Sequence, residues 1–243
     1  MKLKRTPRVN TRYWAAILAA SMCGTNLGDV FPDVLKLNTT LALLVLAVLF
    51  AIVVTADALT SRGSEASYWS AILMVRAAAT QIADFFVFRA HLGFVLVGVV
   101  LAAILAALIV SRWQPTSGAL PICDGHYWMT MLTAGSLGTV IGDGMGHILR
   151  PAQVGIPFSA GLATLTLVAV LRVRARLGWR SSPAYWVCIV MVRWWGTNLG
   201  DMTSFSTSLL TSLIGTAALM SSILMLWREP PGRRDDPAAS PRR

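Results

Sequence analysis

The chain has 243 residues, of which 55% are hydrophobic and only 13% are charged, and its formal net charge is +10. Its mean hydropathy is +0.62. Charged residues make up about a quarter of a typical soluble domain, so this composition excludes a soluble globular protein, a disordered chain and a small disulfide-stabilised secreted module. The positive charge does not indicate nucleic-acid binding, because the basic residues cluster in short segments beside apolar runs, as cytoplasmic loops of membrane proteins do.

The chain begins with a basic tail at residues 1–12, and the apolar run that starts at Trp14 imitates a signal peptide. The same segment recurs three times further along the chain, where a signal peptide cannot lie. We therefore interpret this run as the first helix of a membrane domain that covers residues 13–227.

Four copies of one motif organise the membrane domain. Each copy has a Tyr-Trp pair, a Thr eleven residues after the Trp and an Asp four residues after the Thr. The pairs are Tyr13-Trp14, Tyr68-Trp69, Tyr127-Trp128 and Tyr185-Trp186; the Thr residues are Thr25, Thr80, Thr139 and Thr197; the Asp residues are Asp29, Asp84, Asp143 and Asp201. A small residue precedes each Thr and each Asp, which is typical of closely packed membrane helices. The identical spacing indicates internal duplication.

A plain apolar run follows each motif. The four runs are Leu37–Ala58, Leu92–Val110, Gly155–Leu171 and Phe205–Trp227. Because a helix needs about 20 residues to cross a bilayer, each copy supplies one motif helix and one plain helix. The sequence thus predicts an all-α bundle of eight transmembrane helices, built from four parallel two-helix repeats at residues 13–61, 68–112, 127–176 and 185–227. We expect the motif helices at the centre, because they carry the most polar residues.

Basic residues are distributed unequally between the two ends of the predicted spans. Sixteen lie on the side of the N-terminus, and three (Lys36, Arg89 and Arg150) lie on the other side. The positive-inside rule then predicts that both termini are cytoplasmic, with residues 1–12 and 228–243 as cytoplasmic tails, the second of them disordered. The motif tryptophans would lie at the cytoplasmic interface, where amphipathic rings are enriched, and we expect them to be interface anchors: Trp14, Trp69, Trp128 and Trp186.

This pattern resembles a family of bacterial multi-pass membrane proteins that is built from four tandem repeats of unknown function, each with two predicted spans and a marked tryptophan. The resemblance extends from Tyr13 to Trp227. It implies a bacterial inner (plasma) membrane protein and brings no activity with it, so any functional prediction depends on the residues themselves.

The residue seven positions after each Trp lies on the same helix face as the motif Thr and Asp, because an α-helix turns about 100° per residue. This residue is Arg76 or Arg193 in the second and fourth copies, and Ser21 or Gly135 in the first and third. The alternation predicts a pseudo-two-fold axis along the membrane normal. Since a charge at mid-membrane costs at least ~2.5 kcal/mol, we expect both arginines to face the bundle interior as charge partners. Their partners would be Asp, Asn or Thr groups of neighbouring motif helices.

Two functional hypotheses follow. The first is a small transporter or carrier for a hard cation or a proton-coupled solute, because oxygen ligands suit hard cations and protons. Its path would be lined by Asp29, Asp84, Asp143, Asp201, Thr25, Thr80, Thr139, Thr197, Asn26, Gln81 and Asn198. Four Asp and two Arg residues give this path a negative net charge, which favours a cation over an anion. The alternative is a non-transporting membrane scaffold or sensor, in which the polar stripe specifies helix packing.

Other activities find no support in the sequence. It contains no phosphate-binding loop, zinc-protease motif or nucleophile elbow, so we do not expect an enzyme. The three cysteines share no close spacing, which argues against a zinc or redox site. We predict no cofactor and no nucleic-acid partner; the lipid bilayer is the expected partner. The sequence leaves open whether a cation is bound, which metal it would be, and whether the protein forms a homo-oligomer.

Overall fold

The computed structural model describes residues 3, 6–60, 64–112, 122–176 and 182–227. Several basic residues used for the orientation prediction lie outside this part of the chain, namely Lys2, Lys4, Arg5, Arg62, Arg180 and those of the tail at 228–243. The described part is all-α and has eight α-helices. They are α1 (Thr11–Asp33), α2 (Thr39–Leu59), α3 (Glu65–Asp84), α4 (Gly93–Ser111), α5 (Gly125–Gly146), α6 (Ala152–Arg176), α7 (Ser182–Ser206) and α8 (Leu209–Leu226). A π-helical turn at Phe85–Arg89 continues α3.

Polar caps fix where most of these helices begin. The side chains of Asn10, Asn38, Ser64, Asp124 and Ser208 each accept a hydrogen bond from a backbone N–H in the first turn of the helix that follows. Such a bond satisfies one of the four N–H groups that a helix leaves free at its start. Most connections between consecutive helices have two to five residues, whereas the one between α4 and α5 has thirteen.

The plain helices lie close to the predicted runs, with two differences. The last one begins at Leu209 and not at Phe205, because α7 continues to Ser206 and Ser208 caps the new helix. Ser204 and Phe205 therefore belong to the motif helix of the fourth copy. In the third copy, α6 is longer than predicted at both ends, Ala152–Arg176.

The four motif helices form a closed ring in the order α1, α3, α5, α7, in which each helix contacts its two neighbours. The plain helices pack outside this ring, each against the motif helix of the next copy: α2 on α3, α4 on α5, α6 on α7, and α8 back on α1. The motif helices are therefore central, as expected. The cyclic order relates the copies by rotation about an axis that runs along the helices.

Small residues allow the motif helices to approach one another closely. A Cβ added at Gly196 would lie 2.3 Å from the Cβ of Ser21 on α1, and one at Gly138 would lie 2.6 Å from the Cβ of Arg193 on α7. Both glycines directly precede a motif Thr, and both meet the residue seven positions after the Trp of the next copy. The small residues of the motif are thus explained by helix contact.

Five of the described helices are long and apolar enough to cross a membrane: α2, α3 with its π-helical turn, α4, α6 and α8. The outer helices expose large apolar side chains, including Ile52, Val95, Leu165 and Ile214, which is typical of surfaces that face lipid. The structure therefore has the features of a membrane protein. In α1, α5 and α7 the polar motif residues lower the mean hydropathy.

Candidate functional site on the axis of the helix ring

Four tyrosine hydroxyls close one end of the motif-helix ring. The oxygen–oxygen distances are 3.1 Å for Tyr13–Tyr68, 2.8 Å for Tyr68–Tyr127, 3.1 Å for Tyr127–Tyr185 and 2.6 Å for Tyr185–Tyr13. All four side chains are buried. A phenol has one O–H to donate and can also accept, so a closed square of four uses every donor. We call this group the tyrosine ring. Because it joins the first turns of all four motif helices, these helices run parallel.

The motif tryptophans surround the tyrosine ring. Each indole packs nearly perpendicular to the Tyr of its own pair, with centroids 4.9–5.5 Å apart. Each also contacts the Tyr of a neighbouring motif helix, as Trp69 does with Tyr13 at 5.7 Å. Trp69, Trp128 and Trp186 are buried, and Trp14 is half-buried. The expectation of interface anchors is therefore wrong for the three buried indoles, because an anchor must turn its ring outward to the bilayer surface.

Arg193 lies in the middle of the ring and binds all three other motif helices. Its Nε donates to Thr139 Oγ1 (2.9 Å) on α5, its Nη1 donates to the Ser21 carbonyl (3.1 Å) on α1, and its Nη2 donates to the Arg76 carbonyl (3.2 Å) and to Thr80 Oγ1 on α3. The side chain is fully buried. Every one of these acceptors is neutral, so the hydrogen bonds are satisfied without a carboxylate, and the motif aspartates act on the positive charge only from a longer distance.

Arg76 is as deeply buried as Arg193 but has far fewer partners. Its Nη1 donates to Ser21 Oγ at 3.1 Å, whereas its Nε and Nη2 have no hydrogen-bond partner among the described residues. The guanidinium lies within electrostatic range of all four phenols of the tyrosine ring and of Arg193. Two donor atoms of a buried cation therefore have no acceptor among the described residues.

Neither arginine forms an ion pair with a motif aspartate. The ion pairs found in the described part of the chain are Arg12–Glu65 (2.9 Å) and Arg112–Asp124, both near the tyrosine ring. The predicted partners were Asp, Asn or Thr groups of neighbouring motif helices, and neither arginine has an Asp within ion-pair distance in the described part of the chain. The alternative of Thr groups on neighbouring helices is right for Arg193. The reason is axial distance, since an Arg lies about 12 Å of helix rise from the Asp of its own copy.

Of four other polar residues of the predicted path, two bond within their own helix and two join different helices. Thr25 Oγ1 donates to the Ser21 carbonyl, Gln81 to the Gly28 carbonyl on α1, Asn26 to Ser212 on α8, and Asn198 to the Trp194 carbonyl. All four are buried. Two acceptors remain without a hydrogen-bond partner among the described residues, Asn26 Oδ1 and Thr197 Oγ1.

The four motif aspartates gather at the end of the ring opposite the tyrosines, and all of them are half-buried. Asp29 lies within electrostatic range of Asp84 and Asp201, and Asp143 lies within range of the other three. Arg193 is the buried cation that all four face. Over the described residues, no group of three or more His, Cys, Asp or Glu is placed to hold a metal ion.

The structure therefore stacks four layers along one axis: the tyrosine ring, Arg76, Arg193 and the four aspartates. The sequence pointed to the arginines, both at one depth, and to the aspartates, but not to the tyrosine ring. The signal was present, because a Tyr precedes the Trp in every copy and therefore had to occupy equivalent positions on four parallel helices. Chemically, the arrangement places carboxyl groups, which can exchange protons, at one end of the ring and two buried guanidinium groups in its interior.

Comparison with known proteins identifies the repeat but no activity. Residues 12–62, which include α1 and α2, match the family model described as Repeat of Unknown Function (DUF347). No curated protein and no solved structure shows significant similarity to the chain. The first copy is therefore similar to an uncharacterised repeat.

Proposed function

We propose that this chain is a proton-coupled membrane transporter whose path runs through the ring of motif helices. In this proposal all eight helices cross the bacterial inner membrane and both termini are cytoplasmic. α1, α5 and α7 cross inside the shell of outer helices, so their polar stripe does not meet lipid. The basic residues Arg8, Arg12 and Arg112 lie at the tyrosine end, which supports a cytoplasmic position for that end.

The observation that carries the proposal is the axial stack of ionisable groups in which neither Arg76 nor Arg193 is paired with a carboxylate. Burying a charge without an opposite charge is expensive, and well-packed apolar residues often replace buried ions without loss of stability. If the ring of motif helices had only a packing role, apolar side chains at both arginine positions would stabilise it better. Their presence supports a role in binding or conduction.

The layering favours a proton-coupled solute over a bare hard cation. Counting four Asp and two Arg as one site leaves a negative charge, but the structure separates the two kinds of group along the axis. A cation that passed the aspartates would next meet two guanidinium groups, which repel it more strongly in a low-dielectric interior than in water. Protons avoid this difficulty, because they can bind to the carboxylates at the entrance.

Flux measurements on the full chain in lipid vesicles test this function. A pH-sensitive dye inside the vesicles reports proton movement when an acid-outside gradient is imposed. We expect flux with the wild-type protein and its loss in the double variant Asp29→Asn, Asp143→Asn, which keeps the size of the side chains but removes their proton exchange. Asp124→Asn is the matched control, because Asp124 lies at the other end of α5. Unchanged flux in the double variant would contradict the proposal.

A second candidate function is a non-transporting scaffold or sensor, and two observations favour it. The tyrosine ring closes one end of the bundle with every donor used, and the glycine contacts hold the motif helices tightly together. Under this alternative, wild-type vesicles show no flux above empty vesicles, and the Asp double variant folds as stably as the wild type.

A further inference from the structure

One outer helix, α6, ends differently from the other three. Its last five residues contain three arginines, Arg172, Arg174 and Arg176, whereas each other outer helix has a single Arg within the three residues that follow it. The four outer helices pack at equivalent places around the ring of motif helices. Equivalent packing therefore does not account for the extra charge, which needs a reason specific to the end of α6.

The three arginines of α6 point in two directions. Arg174 is directed toward α1, with its guanidinium carbon 4.9 Å from the centroid of the Trp14 ring. Because a helix turns about 100° per residue, Arg172 and Arg176 share one face on the other side of α6. Both are exposed, and neither forms an ion pair in the described part of the chain. Two neighbouring guanidinium groups are thus presented away from the ring.

The carboxylates at this end of the bundle are already engaged elsewhere. Glu65 pairs with Arg12, and Asp124 pairs with Arg112. Asp57, near the end of α2, is buried, and its Oδ1 accepts a hydrogen bond from a backbone N–H. The exposed arginines of α6 are therefore a local excess of positive charge among the described residues at the tyrosine end.

An exposed apolar stripe leads along α6 to these two arginines. Val154, Phe158, Leu165 and Val168 lie within about 40° of the same helix face, and each of them is 37–70% exposed. The helix is long and apolar enough to cross a membrane. A surface that is apolar along its length and basic at its end matches the acyl chain and the negatively charged headgroup of one lipid molecule.

We propose that Arg172 and Arg176 bind the phosphate of an anionic phospholipid, with an acyl chain along the apolar stripe of α6. A guanidinium group offers paired N–H donors that fit phosphate oxygens, and basic clusters at the end of a membrane helix attract anionic lipids. A zwitterionic lipid fits less well, because its ammonium group would meet two guanidinium groups. The inference requires that α6 faces lipid but not that the protein transports a solute, so it fails or stands independently of the proposed function.

The lipid that the purified full chain retains tests this inference. The protein is reconstituted in vesicles of equal parts phosphatidylglycerol and phosphatidylcholine and extracted in a mild detergent, and native mass spectrometry counts its bound lipids. We expect the wild type to retain phosphatidylglycerol in preference to phosphatidylcholine. The double variant Arg172→Gln, Arg176→Gln should retain at least tenfold less. Excess inorganic phosphate should not displace the lipid, because the acyl chain contributes to binding.

The double variant Arg89→Gln, Arg150→Gln is the matched control. Both of these arginines are exposed at the aspartate end, and the change in net charge is the same, so its retention should equal that of the wild type. A wild type without preference for phosphatidylglycerol overturns the inference, whether or not the variants fold. An equal loss in both double variants overturns it as well, because net charge alone would then explain the attraction. Unchanged retention in a folded Arg172→Gln, Arg176→Gln protein, or displacement by phosphate, also contradicts a lipid site at this face.

Discussion

The tyrosine end and the aspartate end of the motif-helix ring are built from the same four-fold repetition, yet their polar groups differ in bonding. At the tyrosine end, four buried hydroxyls bind one another in a closed ring. At the aspartate end, four half-buried carboxylates lie within electrostatic range but form no ion pair in the described part of the chain. The first end is complete within the fold, and the second requires protons, water or a bound species.

The difference follows from the chemistry of the two side chains. A phenol both donates and accepts, so a symmetric ring of four satisfies itself. An ionised carboxylate only accepts, so four of them related by the same symmetry repel one another. Repetition of a sequence motif therefore gives a stable closure with one residue type and a reactive cluster with the other. This contrast indicates that the tyrosine end stabilises the ring, and it is the reason why the proposed function is located at the aspartate end.

The largest expected effect concerns the arginine that joins the two ends. Arg193→Ala removes hydrogen bonds to three helices, leaves buried acceptors without donors and creates a cavity, so we expect a loss of about 3–5 kcal/mol of unfolding free energy. This loss does not include a penalty for a buried Asp that loses its ion-pair partner, because Arg193 forms no ion pair with an Asp in the described part of the chain. Thermal unfolding in detergent, followed by tryptophan fluorescence, measures the change.

Arg76→Met is the matched comparison, and it should cost little or raise stability. The change removes an uncompensated buried charge and a single side-chain hydrogen bond, while a flexible apolar side chain fills much of the space. If both variants lost the same stability, Arg76 would be as much a structural residue as Arg193, and the distinction between occupied and open donors would fail.

The next effect tests the close contacts that hold the ring together. Gly196→Ala places a Cβ 2.2 Å from Ser21 Oγ and 2.3 Å from its Cβ, so α1 and α7 must separate. We expect a loss of about 3 kcal/mol, the upper range for overpacking. Gly215→Ala on the outer helix α8 is the control, since nothing lies within 4 Å of an added Cβ there, and it should not reduce stability.

The repeat spacing was sufficient to predict the helix pairs, their order and the central position of the motif helices. Fixed intervals between Tyr, Thr and Asp determine which residues share a face, and polar faces avoid lipid. The helix ends were predicted less well where a cap decided them, as at Ser208. The spacing of the motif alone does not show at which residue of an apolar run one helix ends and the next begins.

The partners of individual side chains could not be predicted from one-dimensional spacing. The spacing left Asp, Asn and Thr groups open as partners of the two arginines, and the ring places Arg193 level with Thr80 and Thr139. The motif tryptophans were expected at the interface because of residue type, but the turn of the helix places three of them inside. Both results depend on the rotation and depth of neighbouring helices, which appear only when the ring closes.

A smaller effect is expected when the tyrosine ring is opened. Tyr13→Phe removes two hydrogen bonds and leaves Tyr68 and Tyr185 without one partner each, so we expect a loss of about 1–3 kcal/mol in thermal unfolding. Replacing all four tyrosines by phenylalanine removes every donor and acceptor together and should cost less than the sum of four single changes. Additive losses would show that the four hydroxyls do not act as one ring.

The smallest effect compares the two ends of one helix, α5, which has Asp124 as its N-cap and carries Asp143 near its other end. Asp124 caps the helix and pairs with Arg112. Slight desolvation raises its pKa, but the hydrogen bond from Arg112 and those from backbone N–H groups outweigh it, so the pKa lies below its ordinary value. Asp124→Asn keeps the cap and removes the ion pair. Because the pair is partly exposed, we expect a loss below ~1 kcal/mol at pH 7.

The pH dependence of this loss follows from the sign of the shift. A carboxyl whose pKa is lowered in the folded state stabilises the fold above its unfolded pKa of about 3.9, and this contribution disappears as the pH falls through the folded value. The difference in unfolding temperature between wild type and Asp124→Asn should therefore be present at pH 7 and vanish toward pH 2. A difference that stayed constant over this range would show that the ionised carboxylate of Asp124 adds nothing to the tyrosine end.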